Sequence, residues 1–430
     1  MELGLTQEQH EAIERRDGSL FLHAGAGSGK TRVLVERFVR AVVDDGVGVD
    51  RILAITFTEK AAAELKGRLR RRFLDLGERE RAREAEAAWV STIHGFCSRL
   101  LRTNALAAGI DPEYRVLDEA DAARLSIDAF DRALEEFVLS TRGGGGTERL
   151  DLVASYTPDK LQRMVTTVYS RLRSRGEREP RLPPIDPPAV RDERARLERA
   201  LAAAGAQLGG VAANSRVTAA LAQIENCGRA LSALPEGALG DPAEFEDLRV
   251  KRGTAVALRD SVFDELDEAL SAWNAVCAGK RAHADYVLMS KLLELYGRRY
   301  AAAKDAMSAL DFDDLELRAR DLLRDAAPLR AAVRERFTHV MVDEFQDTNP
   351  LQNELLDLVT EDNLFTVGDE RQSIYGFRNA DVDVFRRRRD AARAAGRDAR
   401  LSTNFRSRPE LIEALNATFT SVWGDEFAPL

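Results

Sequence analysis

Residues 19–43 read SLFLHAGAGSGKTRVLVERFVRAVV, and this segment sets the class of the fold. A short apolar run, a glycine-rich turn and apolar residues at helical spacing predict a strand, a loop and a helix. In the turn AGAGSGKT (24–31), the glycines let backbone N–H groups face phosphates, Lys30 suits the β- and γ-phosphates, and the Thr31 hydroxyl suits magnesium. Ala24 replaces the first glycine of the strict pattern. An ordinary glycine-rich turn is the alternative interpretation.

The strand-and-helix unit recurs along the chain. RILAITFTEKAAAELKGRLRRRF (51–73) predicts a buried strand at 52–57 and a helix from Glu59 onward. Further candidate strands lie at 89–93, 338–342 and 364–367. This alternation predicts the α/β class, as a doubly wound parallel sheet of the RecA-like P-loop NTPase type.

A long helical stretch interrupts the strand pattern. Between about 105 and 305, Ala, Leu, Arg and Glu recur at helical spacing and predict a large all-helical insertion domain, residues 106–304. The sheet domain is therefore expected in two parts, residues 1–105 and 305–395, which come together in space. Within the second part, LDFDDL (310–315) is interpreted as a helix start with carboxylates in its first turn, in preference to a metal site.

Composition limits the classes of protein that remain. The 430 residues include 63 basic and 72 acidic side chains, for a formal net charge of −9, so a polyanion would need a local basic surface. The three cysteines lie far apart without metal-ligand spacing, which argues against a disulfide framework or a zinc site. The N-terminus is polar, and no apolar run approaches the length of a membrane span. A cytoplasmic protein without membrane contact is expected.

Two further segments place polar side chains after strands. THVMVDEFQDT (338–348) puts Asp343 where it can hold a magnesium ion and Glu344 where it can deprotonate a water. An acidic, solvated turn is the alternative.

VGDERQSIYGFRNAD (367–381) follows the last predicted strand of the sheet domain. It carries Gln372, suited to sensing a γ-phosphate, and combines stacking faces with a cation at Tyr375, Phe377 and Arg378, as single-stranded nucleic acid requires. From residue type alone, a core position for the two aromatic rings is the favoured alternative.

Seven segments in this order resemble the N-terminal, ATP-binding half of superfamily-one DNA helicases of the UvrD and Rep type. They are LTQEQ (5–9), AGAGSGKT, ITFTEKAAAEL, STIHGFC, VDEFQDTNPLQ, VGDERQSIYGFRNAD and STNFRS (402–407). LDFDDL and FTEKAAAEL lean toward the RecB-like and AddA-like branch. The resemblance implies an ATP-dependent helicase or translocase of DNA repair or recombination, moving 3′ to 5′.

The resemblance also assigns a nucleotide site that binds ATP and Mg²⁺. The implied catalytic residues are Lys30, Asp343, Glu344, Gln372 and Arg406, with Arg406 as an arginine finger from a second motor domain that begins within residues 396–430. Gln9 would read the adenine edge, and Thr31 and Asp343 would ligate the metal. The implied nucleotide contacts are Gln9, Ala24, Gly25, Ala26, Gly27, Ser28, Gly29, Lys30, Thr31 and Arg32.

On the DNA side, the resemblance implies contacts to a single strand, and to junctions of single- and double-stranded DNA. The implied residues are Phe57, Thr58, His94, Phe96, Tyr375, Phe377 and Arg378. For His94, a satisfied structural histidine is the alternative. The AddA-like leaning adds a partner, which would be a second helicase or nuclease subunit. The later helicase motifs, and a nuclease domain if there is one, are expected beyond Leu430.

Two other classes of function remain at this stage. The chain is alternatively an ATP-binding, DNA-binding module without useful turnover, since the resemblance leaves the second motor domain incomplete. A small-molecule kinase that uses the same phosphate loop is disfavoured, because neither a lid nor an acceptor site is evident and the later motifs stay unexplained.

Overall fold

The computed structural model describes residues 4–140, 146–188, 192–212, 214–235, 238–252, 255–424 and 427. The strands are β1 (Leu20–Ala24), β2 (Ile52–Thr56), β3 (Trp89–Thr92), β4 (Arg115–Val116), β5 (Ala309–Leu310), β6 (His339–Val342), β7 (Leu364–Gly368) and β8 (Asp398–Leu401). The helices are α1 (Gln7–Glu14), α2 (Lys30–Val43), α3 (Glu59–Asp75), α4 (Arg79–Ala87), α5 (Ile93–Thr103), α6 (Glu119–Leu139), α7 (Gly146–Tyr156), α8 (Pro158–Arg173), α9 (Glu193–Gly209), α10 (Ser215–Ala233), α11 (Pro242–Asp247), α12 (Ser261–Asp305), α13 (Phe312–Asp325), α14 (Ala327–Arg336), α15 (Pro350–Val359), α16 (Val382–Ala394) and α17 (Pro409–Trp423).

The described residues form a six-stranded sheet in the order β3-β2-β6-β7-β1-β8. All of its neighbouring strands pair in parallel. The four strands predicted at 52–57, 89–93, 338–342 and 364–367 are present to within one residue at each end. The predicted α/β class with a parallel central sheet is confirmed.

Helices cover both faces of this sheet, because successive side chains of a strand point to opposite faces. Leu20 and Leu22 belong to one buried core, which includes side chains of α1, α2, α3 and α4. Phe21, between them, belongs to the other core, which includes side chains of α5, α13, α15 and α16. Burial on both faces explains why the strands are apolar without alternation.

The last strand of the sheet corrects an expected boundary. β8 pairs in parallel with β1, with Phe21 opposite Asp398 and Ala24 opposite Leu401. The start of residues 396–430 therefore belongs to the first sheet rather than to a separate domain. The reason is that β1 has a free edge which β8 completes with backbone hydrogen bonds.

The chain divides into two compact units. Unit 1 comprises Met1–Arg132, Gln162–Pro180 and Tyr296–Leu430, and unit 2 comprises Ala133–Leu161 and Arg181–Leu295. Unit 2 is thus smaller than the insertion expected at 106–304. Part of the expected insertion groups with the sheet because it packs there; for example, the backbone carbonyl of Ser174 accepts from the N–H of Leu351 on α15 at 3.0 Å.

The described part of unit 2 is helical and has its own core. Trp273 is completely buried there, with its ring edge-on to Phe245 at a centroid distance of 5.9 Å. Cys227 and Cys277 are free and buried in the same core, and Cys97 is free and buried in unit 1. Among the helices that the structure describes, none has the length and apolar character needed to cross a bilayer.

A buried charge cluster anchors the first turn of α13 in unit 1. Asp311 caps this helix and forms a reciprocal capping box with Asp314, as the helix-start interpretation of LDFDDL predicted. Lys304 Nζ donates to Asp311 Oδ2 at 2.6 Å and also to Asp314, and Arg173 donates to Asp314. Burial opposes ionisation of Asp314, but Lys304 and Arg173 outweigh it and lower its pKa.

We expect Lys304→Met to lower the free energy of unfolding by about 3 kcal/mol, because it leaves buried carboxylates without their nearest cation. Lys291→Met on the exposed side of the same helix is the matched control, with an expected change within about 0.5 kcal/mol. Urea unfolding followed by circular dichroism measures both. Equal changes in the two variants would contradict a stabilising role for the cluster.

Candidate active site and strand-binding surface

The phosphate loop connects β1 to α2. Gly27 and Gly29 have φ angles of +74° and +86°, a conformation that side chains rarely adopt. A Cβ atom at Gly27 would also lie 2.6 Å from the Cβ of Arg406. Ser28 is buried and its hydroxyl donates to the Gly25 carbonyl at 2.8 Å. The loop ends at the N-terminus of α2, where free backbone N–H groups and the helix dipole favour an anion.

Lys30 brings three distant segments together. Its Nζ donates to Glu344 Oε2 at 2.9 Å and to Gln372 Oε1 at 3.3 Å. Glu344 follows β6 and Gln372 follows β7, and the sheet order places these two strands next to each other and β7 next to β1. Because the carboxyl ends of parallel strands share one edge, the residues converge there. The convergence that the sequence interpretation required is present.

Asp343 and Thr31 line the same cavity of about 380 Å³, together with Glu344 and Gln372. Asp343 Oδ1 accepts from the backbone N–H of Glu344 at 3.0 Å. Burial and the neighbouring Glu344 carboxylate raise the pKa of Asp343 to about 6, although Lys30 acts in the opposite direction. A cation placed beside this carboxylate would stabilise its ionised form.

The backbone at Glu344 is left-handed, with φ +50° and ψ +44°. This conformation is unusual for a residue with a side chain, and such strain tends to occur at functional sites. Gln346 Nε2 donates to Glu344 Oε2 at 2.8 Å, so the carboxylate has two donors. The sequence interpretation did not single out Gln346.

Gln346 connects the segments after β6 and β7. It is buried, and its Oε1 accepts from the backbone N–H of Asp369 at 2.9 Å. Asp369 in turn accepts from Gln372 Nε2 at 2.7 Å. The only available signal in the sequence was the position of a long amide side chain within DEFQD, shortly after the two acids.

Gln9 lies against the phosphate loop. It is 2% exposed, and its Nε2 donates to the Ser28 carbonyl at 3.0 Å. Its Oε1 accepts from the backbone N–H of Thr6, which completes the N-terminal cap of α1. The Gln9 amide therefore supports the loop in this structure, and its reading of adenine stays a prediction.

Residues after β8 also contact the phosphate loop. The N–H of Phe405 donates to the Gly27 carbonyl at 2.9 Å, and Asn404 Nδ2 donates to the Ala26 carbonyl at 2.8 Å. Arg406 follows these contacts, and its own backbone N–H donates to Asn404. Its side chain is exposed beside the loop.

Most of the residues expected to contact DNA gather at one surface. The rings of Phe57 and Tyr375 lie 4.5 Å apart at an angle of 32°, and Phe377 is 78% exposed beside Tyr375. Arg378 lies over both rings of the 375–378 segment and pairs with Glu119 at 3.0 Å. The core alternative for the two aromatic rings is therefore not supported.

A cavity of about 660 Å³ adjoins these rings. Phe57, Thr58, His94, Phe377 and Arg378 line it. Thr58 also caps α3 by accepting from a backbone N–H at 3.1 Å. The carboxyl ends of β2 and β3 thus place Thr58 and His94 on the same cavity.

Phe96 is an exception among the expected DNA contacts. It is 2% exposed, and its ring is edge-on to Trp89 and Phe337 in the core between the sheet and α14. The reason is helical geometry: α5 directs the Phe96 side chain to the face that packs on the sheet. Its expected role in DNA contact is corrected to one in packing.

The parallel sheet and the converged phosphate loop define a P-loop NTPase fold. The family model of the UvrD/REP helicase N-terminal domain matches residues 5–393. The chain therefore belongs to the UvrD/REP helicase N-terminal domain family, as the seven sequence segments indicated.

Relatives agree with the AddA-like leaning. The chain is 30% identical to an ATP-dependent helicase/nuclease subunit of Syntrophomonas wolfei, over 99% of this chain and 38% of that protein. It is 33% identical to the protein of the same name from Desulforudis audaxviator, over 97% of this chain and 40% of that protein. The chain thus spans about two fifths of the length of the curated relatives it matches.

We expect Phe96→Ala to lower the free energy of unfolding by about 3–5 kcal/mol, because it opens a cavity in the core. Phe57→Ala, the matched control, should change stability much less but should weaken binding of a single-stranded oligonucleotide. Urea unfolding and fluorescence anisotropy measure the two effects. A loss of DNA affinity in a stably folded Phe96→Ala protein would restore the DNA role of Phe96.

Proposed function

We propose that this chain is the ATP-binding half of an ATP-dependent DNA helicase motor that translocates 3′ to 5′ along single-stranded DNA in repair or recombination. The observation that carries the proposal is the convergence of Lys30, Glu344 and Gln372 on the phosphate loop. The relatives, which are named as helicase/nuclease subunits, support a partner in the form of a second subunit. Single-stranded DNA, and its junctions with duplex, are the proposed substrates.

Nucleotide binding requires the Lys30–Glu344 pair to open. Lys30 is only 10% exposed at its side chain and is engaged by the Glu344 carboxylate. An ATP triphosphate placed on the loop N–H groups would compete with Glu344 for the same ammonium group. Binding would therefore free Glu344 at the moment when its carboxylate is needed as a base.

Thr31 and Asp343 fit a magnesium ion. Mg²⁺ at nucleotide sites takes one or two protein oxygen ligands and completes its shell with phosphates and water. The described residues contain no group of three or more His, Cys, Asp or Glu side chains that would hold a metal by themselves, in keeping with such a shared shell. When bound, the ion would neutralise charge on the phosphates.

The hydrolytic roles follow from the positions of the side chains. Glu344 accepts a proton from the attacking water, and Gln372, hydrogen-bonded to Lys30, senses the γ-phosphate. Arg406 would move its guanidinium onto the transferred phosphoryl group from the segment that already touches Gly27.

The segment after β7 supports coupling between ATP and DNA. Gln372 contacts Lys30, and Tyr375, three residues later, stacks on Phe57. A shift of Gln372 on ATP binding would be transmitted to Tyr375 through a few backbone bonds. Stacking on aromatic rings tolerates any base, which suits a motor that passes along every sequence.

The Lys30–Glu344 pair also supports a second candidate function, an ATP- and DNA-binding module without useful turnover. In that case the pair would be a resting state that nucleotide opens without completing a hydrolytic site. Steady-state phosphate release by the 430-residue chain discriminates the two functions. Turnover stimulated by single-stranded DNA supports the motor, and background turnover with nucleotide-dependent DNA affinity supports the module.

We expect Glu344→Gln to reduce ATP hydrolysis at least about 100-fold, because the amide cannot accept the proton from water. ATP itself should bind a few-fold more tightly, since the amide competes less for Lys30. Phosphate release, on a form of the protein that hydrolyses ATP, and titration with a fluorescent nucleotide measure these effects. Lys30→Ala is the control that loses nucleotide binding. Turnover retained in Glu344→Gln would exclude Glu344 as the base.

We expect Tyr375→Ala to weaken binding of single-stranded DNA by about 1–3 kcal/mol, the usual contribution of a base stacked on an aromatic ring. Nucleotide affinity should stay unchanged. Anisotropy with oligothymidylate at several salt concentrations is the measurement, and affinity should fall as salt rises. An equal loss of nucleotide and DNA affinity would instead indicate a structural role for Tyr375.

A further inference from the structure

His94 lies at the N-terminus of α5, directly after β3. The hydroxyl of Thr92 caps this helix by accepting from the N–H of Gly95 at 3.1 Å. The His94 side chain is 33% exposed and borders the cavity of about 660 Å³. Phe57 and Arg378 border the same cavity, so His94 shares it with a stacking face and a cation.

Glu316 holds the imidazole from the protein side. This carboxylate is 1% exposed, and its Oε1 lies 2.9 Å from His94 Nε2. The same oxygen accepts from Gln352 Nε2 at 2.7 Å. On the other side, the ring of Phe312 lies 4.8 Å from the imidazole at an angle of 44°. The ring of His94 is therefore fixed by α13 on two sides.

We infer that Glu316 is a positioning residue that keeps the proton on Nε2 of His94 and leaves Nδ1 as a hydrogen-bond donor to single-stranded DNA whenever the imidazole is charged. The inference rests on the proposed DNA-binding function, which it deepens by naming how one contact is set. Neither Glu316 nor Phe312 belongs to the residues that the helicase resemblance implied.

The chemistry of the two groups leads to this assignment. An ionised carboxylate only accepts hydrogen bonds, so His94 Nε2 must carry a proton in the pair. Nδ1, for which no hydrogen bond is found among the residues that the structure describes, is then an acceptor in the neutral ring and a donor in the charged ring. Phosphate oxygens and most base-edge atoms with lone pairs are acceptors. Only the charged ring therefore offers them a donor.

Three carboxyl groups face His94, and they favour its charged form. Burial lowers the pKa of His94, but Glu316, with smaller contributions from Asp313 and Glu59, raises it above its ordinary value. Glu59 accepts from the Thr92 hydroxyl at 2.7 Å. Burial and Asp311 raise the pKa of Asp313 to about 7.

The direction of the pH effect follows from these groups. Below its raised pKa, His94 is charged and donates from Nδ1; above it, the donor is lost. Over the same range Asp313 loses its proton and adds negative charge to the cavity. Both changes weaken binding of a polyanion as pH rises, so their contributions must be separated by substitution.

Glu316→Gln tests the inference with little change of shape. The introduced amide can still accept from Gln352 and hydrogen-bond to His94, but it no longer stabilises the charged ring. Anisotropy of fluorescein-labelled oligothymidylate on the 430-residue chain from pH 5.5 to 8.5 is the measurement. We expect about fivefold weaker binding at pH 7 and a fall in affinity at lower pH than in the wild type. Asp313→Asn, the matched control, should keep the fall that is due to His94.

A direct titration of His94 provides the second measurement. The chain has five histidines, so NMR of ring-labelled histidine, assigned with His94→Gln, resolves its pKa. We expect a pKa above 6.5 in the wild type and a lower value in Glu316→Gln. A wild-type pKa at or below 6.5, or the same pH profile of DNA binding in Glu316→Gln as in the wild type, would overturn the inference.

The two proposals fail in different ways. If the wild-type chain binds no oligothymidylate at any pH, the proposed DNA-binding function fails, and a DNA contact by His94 fails with it. If it binds DNA with an affinity that Glu316→Gln leaves unchanged across the pH range, only the role of Glu316 is overturned. Should Glu316→Gln not fold, the wild-type titration of His94, with and without oligothymidylate, decides: a Cε1 resonance unmoved by DNA contradicts the contact.

Discussion

The contact of Lys30 with Glu344 and Gln372 ties the site to the sheet that carries it. A lysine with little exposure needs an anion or strong acceptors close by, because an isolated buried charge is costly. Here the acceptors come from segments 314 and 342 residues further along the chain. They reach Lys30 only if β1, β7 and β6 follow one another in register, as they do. The fold of the sheet and the geometry of the site are thus one requirement.

The same edge of the sheet brings nucleotide and DNA surfaces together. Gln346 and Asp369 form hydrogen bonds that connect Glu344 to Gln372, and the segment that carries Gln372 continues to Tyr375. Phe57, which follows β2, completes the aromatic pair. Coupling between the two surfaces needs no long path, because their residues occupy adjacent loops at the ends of parallel strands.

Helix α13 serves both stability and the strand-binding cavity. Its first turn is held by Lys304 and Arg173 through two buried aspartates, which fixes where the helix begins. Phe312 and Glu316 follow in the same two turns and meet His94. A helix anchored by buried charge pairs has little freedom to shift, and this rigidity suits residues that orient another side chain.

The local chemistry of the site could be predicted from the order of residues alone. The glycines of AGAGSGKT, the acids after an apolar strand and the alternation of strands with helices predicted Lys30, Asp343, Glu344 and the class of sheet. These signals suffice because each depends on neighbours within about ten residues. The aromatic and cationic set at 375–378 was predictable in the same way, although its exposure was not.

Which side chains meet across the chain depended on the folded domain. Phe96 belongs to a motif yet packs in the core, while Glu316 and Gln346 stood out in no motif yet contact the residues of the site. β8 joins the first sheet because an edge of β1 is open to it. Such facts depend on which helix face is buried and on which strands are neighbours. Packing over the whole domain sets both, and no local stretch of sequence contains that information.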